Sequence, residues 1–117
     1  MALTVYQYKK CSTCVKALKY LDAKGVDYTA IDITEQAPTQ TELNKMLEHF
    51  ELKRIFNTSG VVYRELKVSA QLKAGMTQDE AIELLASNGR LVKRPFLLTD
   101  TAGLVGFKID EWDKVFG

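Results

Sequence analysis

Cys11 and Cys14 are the only cysteines in this 117-residue chain, separated by Ser12 and Thr13. They follow an alternating apolar run, Leu3 to Tyr8, and precede a run with helical periodicity. A strand-to-helix turn is therefore their expected setting. A thiolate at a helix N-terminus faces unpaired backbone N–H groups and the positive end of the helix dipole. Its pKa falls, and more of it is nucleophilic at neutral pH. Lys9 and Lys10 add positive charge just before it. Cys11 is the candidate nucleophile. Cys14, one turn on, lies within disulfide reach and is the candidate resolving thiol. Ser12 and Thr13 offer hydroxyl and N–H groups that can cradle an anion, and either can cap the helix.

Metal binding and simple packing compete with this redox reading. A structural zinc site usually takes four ligands. The chain offers two cysteines and a single histidine, His49, so no metal is expected. No flavin motif is visible either. The expected chemistry is attack by the Cys11 thiolate on an oxidised substrate, a small oxyanion or a disulfide. Reducing power would arrive from glutathione or a protein dithiol, with no bound cofactor.

Composition sets the frame. Apolar residues make up 46% and charged residues 26%, with a net charge of +1. That is the balance of a folded globular domain, without the basic field of a dedicated nucleic-acid binder, so direct DNA binding is not expected. No apolar run reaches the roughly 20 residues of a membrane span. No signal-peptide pattern is seen at the start, so a cytoplasmic location is the expectation.

The elements that must hold the cysteines can be read from periodicity. Leu3 to Tyr8 reads as a strand, Val15, Ala17, Leu18 and Leu21 as a helix, and Tyr28 to Ile33 as a second strand. Gly25 sits where a helix C-terminal cap belongs. Together they make a βαβ unit with parallel strands. Thr39 with Glu42, and Thr77 with Glu80, form two capping-box patterns that open helices. Short helical pieces at Leu52 to Phe56 and Val61 to Leu66 flank the turn at Asn57 to Gly60. Phe96 to Thr99 and Leu104 to Phe107 read as a hairpin, followed by an amphipathic helix from Ile109 to Phe116. The expected architecture is one α/β domain over residues 1–117. Its core, βαβ then ββα (about 1–38 and 89–117), carries an all-helical insertion (about 39–88).

That order around a Cys-x-x-Cys is the thioredoxin-like, or glutaredoxin-like, arrangement. The chain resembles the arsenate reductase / Spx / MgsR family over essentially its whole length. The resemblance is carried by Tyr8-Lys9-Lys10-Cys11-Ser12-Thr13-Cys14, Phe56-Asn57-Thr58-Ser59-Gly60, Tyr63-Arg64-Glu65-Leu66, Leu91-Val92-Lys93-Arg94-Pro95 and Val105-Gly106-Phe107-Lys108. It implies that Cys11 attacks, that glutathione with glutaredoxin or thioredoxin supplies electrons, and that Arg94 grips an anion or the thiolate. It implies a cis Pro95 beside the thiols. Of the family's three oxyanion-binding arginines only Arg94 maps here. Asn57 falls at the second position, and Lys108 lies in the segment of the third. Arsenate is therefore a doubtful substrate. The second cysteine is shared with the Spx-type branch, which implies the alternative of a redox-sensing regulator that binds RNA polymerase. Lys10, Ser12, Thr13, Asn57, Pro95 and Lys108 complete the expected substrate- or thiol-binding set.

Overall fold

The structure is a computed structural model that describes residues 3–117; Met1 and Ala2 of the expected domain lie outside the described residues. β1 (Leu3–Gln7), α1 (Ser12–Ala23) and β2 (Tyr28–Asp32) form the opening unit. Then come α2 (Gln40–Met46), α3 (Leu52–Ile55), α4 (Val61–Glu65), α5 (Val68–Lys73) and α6 (Gln78–Ser87). A single 3₁₀ turn (Gly89–Leu91) leads to β3 (Phe96–Leu98), β4 (Gly103–Val105) and α7 (Ile109–Phe116). The four-stranded sheet has the order β2-β1-β3-β4. β1 and β2 are parallel, and β3 runs antiparallel to both β1 and β4. This is the thioredoxin-like core with a helical insertion that the sequence predicts.

Strand alternation explains why the sheet needs cover on both faces. Tyr6, Phe96 and Val105 share one row of the ladder, and Val5, Leu97 and Leu104 share the next. The Val5 row packs with Ala17 and Leu21 of α1 and Trp112 of α7. The Tyr6 row packs with Leu43 and Met46 of α2 and with Ile82 and Leu85 of α6. The result is three layers: α1 and α7, the sheet, and the insertion. Because β3 and β4 are buried on both faces, they read as continuous apolar runs. The Tyr6 hydroxyl, in a buried side chain, donates to Glu42 Oε1 at 2.7 Å and ties β1 to the start of α2.

Local signals place the ends. Gly25 adopts φ +69 just after α1, with Gly25 N–H donating to Asp22 O (3.1 Å) and Val26 N–H to Leu21 O (3.0 Å). That is a Schellman stop, and only glycine takes its left-handed position without strain. Both capping boxes form as read: Thr39 and Glu42 exchange hydrogen bonds, as do Thr77 and Glu80. Each contributes about 1 kcal/mol.

Three readings need correction. The strands end one or two residues earlier than the apolar runs do, at Gln7, Asp32, Leu98 and Val105. The expected cap residues Ser12 and Thr13 are already helical, and Cys11 holds the N-cap position. α5 was missed. It begins after Lys67, whose φ of +52 reverses the chain without glycine.

Gly89 lies directly against the end of β2: a Cβ there would overlap the Ile33 carbonyl oxygen. The approach docks the return segment that carries Arg94. Gly89→Ala is expected to destabilise the fold by about 1–3 kcal/mol, the usual scale for overpacking. The check is a chemical-denaturation midpoint; an unchanged midpoint would refute the close-approach account.

Candidate active site

The turn between β1 and α1 is closed by Cys11 N–H donating to Tyr8 O at 3.0 Å, and Cys11 O accepts the first helical bond, from Val15 N–H at 3.0 Å. Cys11 occupies the N-cap with extended backbone (φ −94, ψ 114), and its side chain makes no formal capping hydrogen bond. Serine or aspartate at this place would spend its oxygen on the helix amides. A sulfur leaves that favourable field to the thiolate. Cys14, in contrast, is fully buried, and both sulfurs are free thiols.

The two thiols are driven in opposite directions. Partial burial raises the Cys11 pKa, yet the outcome is a lowered one. The Cys14 backbone N–H, the Cys14 thiol and the Arg94 guanidinium all favour the Cys11 thiolate and outweigh burial. Cys14 is pushed up to about 12, first by burial, while the nearby Cys11 charge adds to the rise. Arg94 is therefore beside Cys11, a juxtaposition that sequence reading alone could not supply. Its guanidinium also lies 5.1 Å from the centroid of the Tyr8 ring, a cation–π contact that restrains it. The Arg94–Pro95 peptide is cis. Pro95 O accepts from Gly106 N–H at 2.9 Å, and Gly106 O accepts from Trp112 Nε1 at 3.0 Å. These bonds tie the Arg94 loop to the end of β4 and to α7.

An open cleft of about 860 Å³ lies next to Cys11. Of the expected residues, Cys11, Thr13, Asn57, Arg94 and Lys108 line it. Lys10 and Ser12 are exposed and Pro95 is buried; none of the three lines the cleft. Nor does Lys10 account for the lowered Cys11 pKa, which owes its cationic contribution to Arg94. Asn57 O accepts from Gly60 N–H at 3.0 Å, so the residue serves the turn while its segment forms a wall.

Sequence reading missed Lys53, Arg54 and Lys93. With Arg94 and Lys108 they give the lining five cations, and no carboxylate residue lines the cleft. Phe56, Val61, Val105 and Phe107 add apolar wall. Lys53 and Arg54 sit on α3 of the insertion, and only the fold brings them opposite the cysteine turn. Other residues have structural places. Tyr63 packs its ring 5.8 Å from Phe56, Trp112 is fully buried, and His49 is exposed in the turn after α2. Among the described residues no group of His, Cys, Asp and Glu could hold a metal ion. No helix there is long and apolar enough to cross a membrane.

A thiol N-cap, a buried partner thiol one turn on and an arginine preceding a cis-proline define a thioredoxin-like protein with a cationic cleft. Residues 6–115 match the model of the ArsC family, and the chain belongs to that family. It is 45% identical over 116 residues to the uncharacterized protein YusI of Bacillus subtilis, covering 97% of this chain and 98% of that one. It is 26% identical to the regulatory protein MgsR of the same organism, covering 97% of this chain and 89% of MgsR. The crystal structure of a possible arsenate reductase from Streptococcus mutans superposes with a TM-score of 0.87 at 42% identity, covering 97% and 98% of the two chains.

The opposed pKa shifts predict selective alkylation. At neutral pH iodoacetamide should label Cys11 and spare Cys14. The Cys11 rate should fall as pH drops through its lowered pKa, because protonation removes the thiolate. Arg94→Met removes a cause of the lowering, so the rate-against-pH midpoint should move upward. Mass spectrometry of the alkylated protein reads both results; an unmoved midpoint would detach Arg94 from the thiolate.

Proposed function

We propose that this protein is a thiol-dependent reductase in which the Cys11 thiolate attacks an oxidised, anionic substrate in the cationic cleft. The observation that carries the reading is the lowered pKa of a cleft-lining cysteine beside Arg94. With a disulfide substrate, Cys11 sulfur forms a new S–S bond, the substrate's S–S bond breaks, and the departing thiolate takes the electron pair. A second thiolate then attacks the substrate sulfur of the mixed disulfide and releases Cys11. A further thiol (the partner of a dithiol, or a second glutathione) closes a disulfide with the first and releases the remaining substrate thiolate, which completes the two-electron reduction. Glutathione, or the dithiol of a glutaredoxin or thioredoxin, is the proposed reductant. With an oxyanion, Cys11 displaces an oxygen that leaves as water once protonated. An external thiolate then attacks the Cys11 sulfur, forming a mixed disulfide while the bond's electron pair stays with the departing oxyanion, now reduced by two electrons. A second thiol frees Cys11.

External resolution is favoured over Cys14. Burial, the largest cause of the raised Cys14 pKa, persists when Cys11 is in a mixed disulfide, so little of Cys14 is thiolate, the attacking species. Arg94 supplies a planar guanidinium, whereas Asn57 and Lys108 supply an amide and a point charge at the other positions of the resemblance. Arsenate held by several guanidinium forks is consequently the weaker choice of substrate.

The likeness to MgsR favours a second reading, a redox-sensing regulator that acts through the Cys11–Cys14 pair, with RNA polymerase as partner. Turnover separates the two. With glutathione and glutaredoxin present, the reductase should reduce a mixed-disulfide substrate repeatedly. Cys11→Ser should abolish turnover, and Cys14→Ser should retain it within a few-fold. Absence of turnover, together with polymerase capture that depends on the oxidised pair, would favour the regulator instead.

A further inference from the structure

Arg54 differs from the other cations missed in the sequence because its geometry is fixed. Its guanidinium meets Glu111 as a fork, Nη1 to Oε2 and Nη2 to Oε1, both at 3.2 Å. The same group lies 4.4 Å from the centroid of the Phe50 ring. Arg54 belongs to α3 of the insertion and Glu111 to the first turn of α7, so the pair bridges insertion and core beside the cleft. It is the one ion pair among the described residues. A guanidinium has five N–H donors; the fork leaves others free, and the Arg54 side chain remains 38% exposed. Arg54 also lines the cleft that Cys11 lines. A group held by a carboxylate and a ring has already lost much of its rotamer freedom, which lowers the ordering cost of a further hydrogen bond from its free N–H groups.

We infer that Arg54 is a specificity-determining anion-binding residue, which receives a carboxylate of the substrate at a point remote from the sulfur that Cys11 attacks. The cleft, about 860 Å³, accommodates a molecule much larger than a tetrahedral oxyanion. The substrate class is thus a disulfide carrying a carboxylate. Its sulfur meets Cys11 and Arg94, and its carboxylate meets Arg54. Glu111 and Phe50 position the guanidinium without touching the reacting atoms. The inference rests on Cys11 being the nucleophile.

Two aromatic disulfides test it: dithiobis(nitrobenzoate), which carries carboxylates, and dithiodipyridine, which is neutral near pH 7. In each reaction Cys11 sulfur forms a mixed disulfide and the leaving thiolate departs with the electron pair, as yellow nitrothiobenzoate or as pyridinethiolate that takes a proton to become the ultraviolet-absorbing thione, so initial rates are read by absorbance. Loss of both reactions in Cys11→Ser verifies the nucleophile; unchanged rates there would overturn that assignment and the inference resting on it. Arg54→Gln should lower the rate with the anionic disulfide about tenfold, a typical loss for a charge-assisted contact, and leave the neutral one within twofold. Added salt should shrink the difference between wild type and variant. A half-exposed ion pair contributes little to stability, so the variant should fold. Arg54→Lys, which keeps the charge and loses the fork, should fall between the two. The inference is overturned if the anionic-to-neutral rate ratio is unchanged in both variants, or if both probes slow by the same factor.

Discussion

Everything in this site depends on what caps α1. Helix N-termini expose amides that want an acceptor, and most proteins satisfy them with a side-chain oxygen. Here a cysteine takes that position, so the stabilisation normally given to a neutral cap is available to a thiolate. The turn that achieves this is specified by two backbone bonds, Cys11 N–H to Tyr8 O and Val15 N–H to Cys11 O. It is anchored from behind by β1, whose Val5 and Tyr6 are buried on opposite faces of the sheet. A shift of register in β1 would exchange those faces and displace the cysteine turn with them. The core is in this sense the device that aims one sulfur.

The second group aimed at that sulfur arrives from far along the chain. Arg94 precedes a cis-proline, and the loop is held by Gly106, which bonds to Pro95 through its N–H and to Trp112 through its carbonyl. Gly106 has φ +70, a conformation that makes the chain leave β4 toward α7. Trp112 in turn packs 5.0 Å from the ring of Phe107, a cleft wall. The final helix therefore does more than cover the sheet: its buried tryptophan fixes the turn on which both the arginine loop and one wall of the cleft lean.

Much of this was legible in the sequence, and the limits have physical causes. Period-two and helical runs, two capping boxes and one helix-stopping glycine are local signals, and the elements that carry them formed where read. The cysteine turn is local too. α5 escaped because Lys67 starts it in the left-handed region, which a lysine gives no sign of entering. Arg54 escaped because its meaning lies in Glu111, 57 residues away in sequence. A lysine- or arginine-bearing helical turn looks like a solvated face until the fold supplies what stands opposite. Lys10 shows the reverse error. It neighbours Cys11 in sequence but is exposed, does not line the cleft and is not among the causes of the lowered Cys11 pKa.

The unequal cysteines give the site a direction. Cys11 is both the better thiolate and the sulfur that faces the cleft, so in the proposed reaction it is the one that meets substrate first. Once it is in a mixed disulfide its charge is gone, and one cause of the raised Cys14 pKa disappears with it. Burial, the largest cause, remains. Cys14 thus becomes a somewhat better nucleophile when it is needed, yet still a slow one. Should the Cys11–Cys14 disulfide form, an external thiol entering by the cleft reaches Cys11 and must expel Cys14, a poor leaving group because its pKa is high. On this reasoning such a pair would close slowly and open slowly. That kinetic character would suit a protective or signalling state better than a step in every cycle, in keeping with the proposal that a thiol from outside resolves the intermediate.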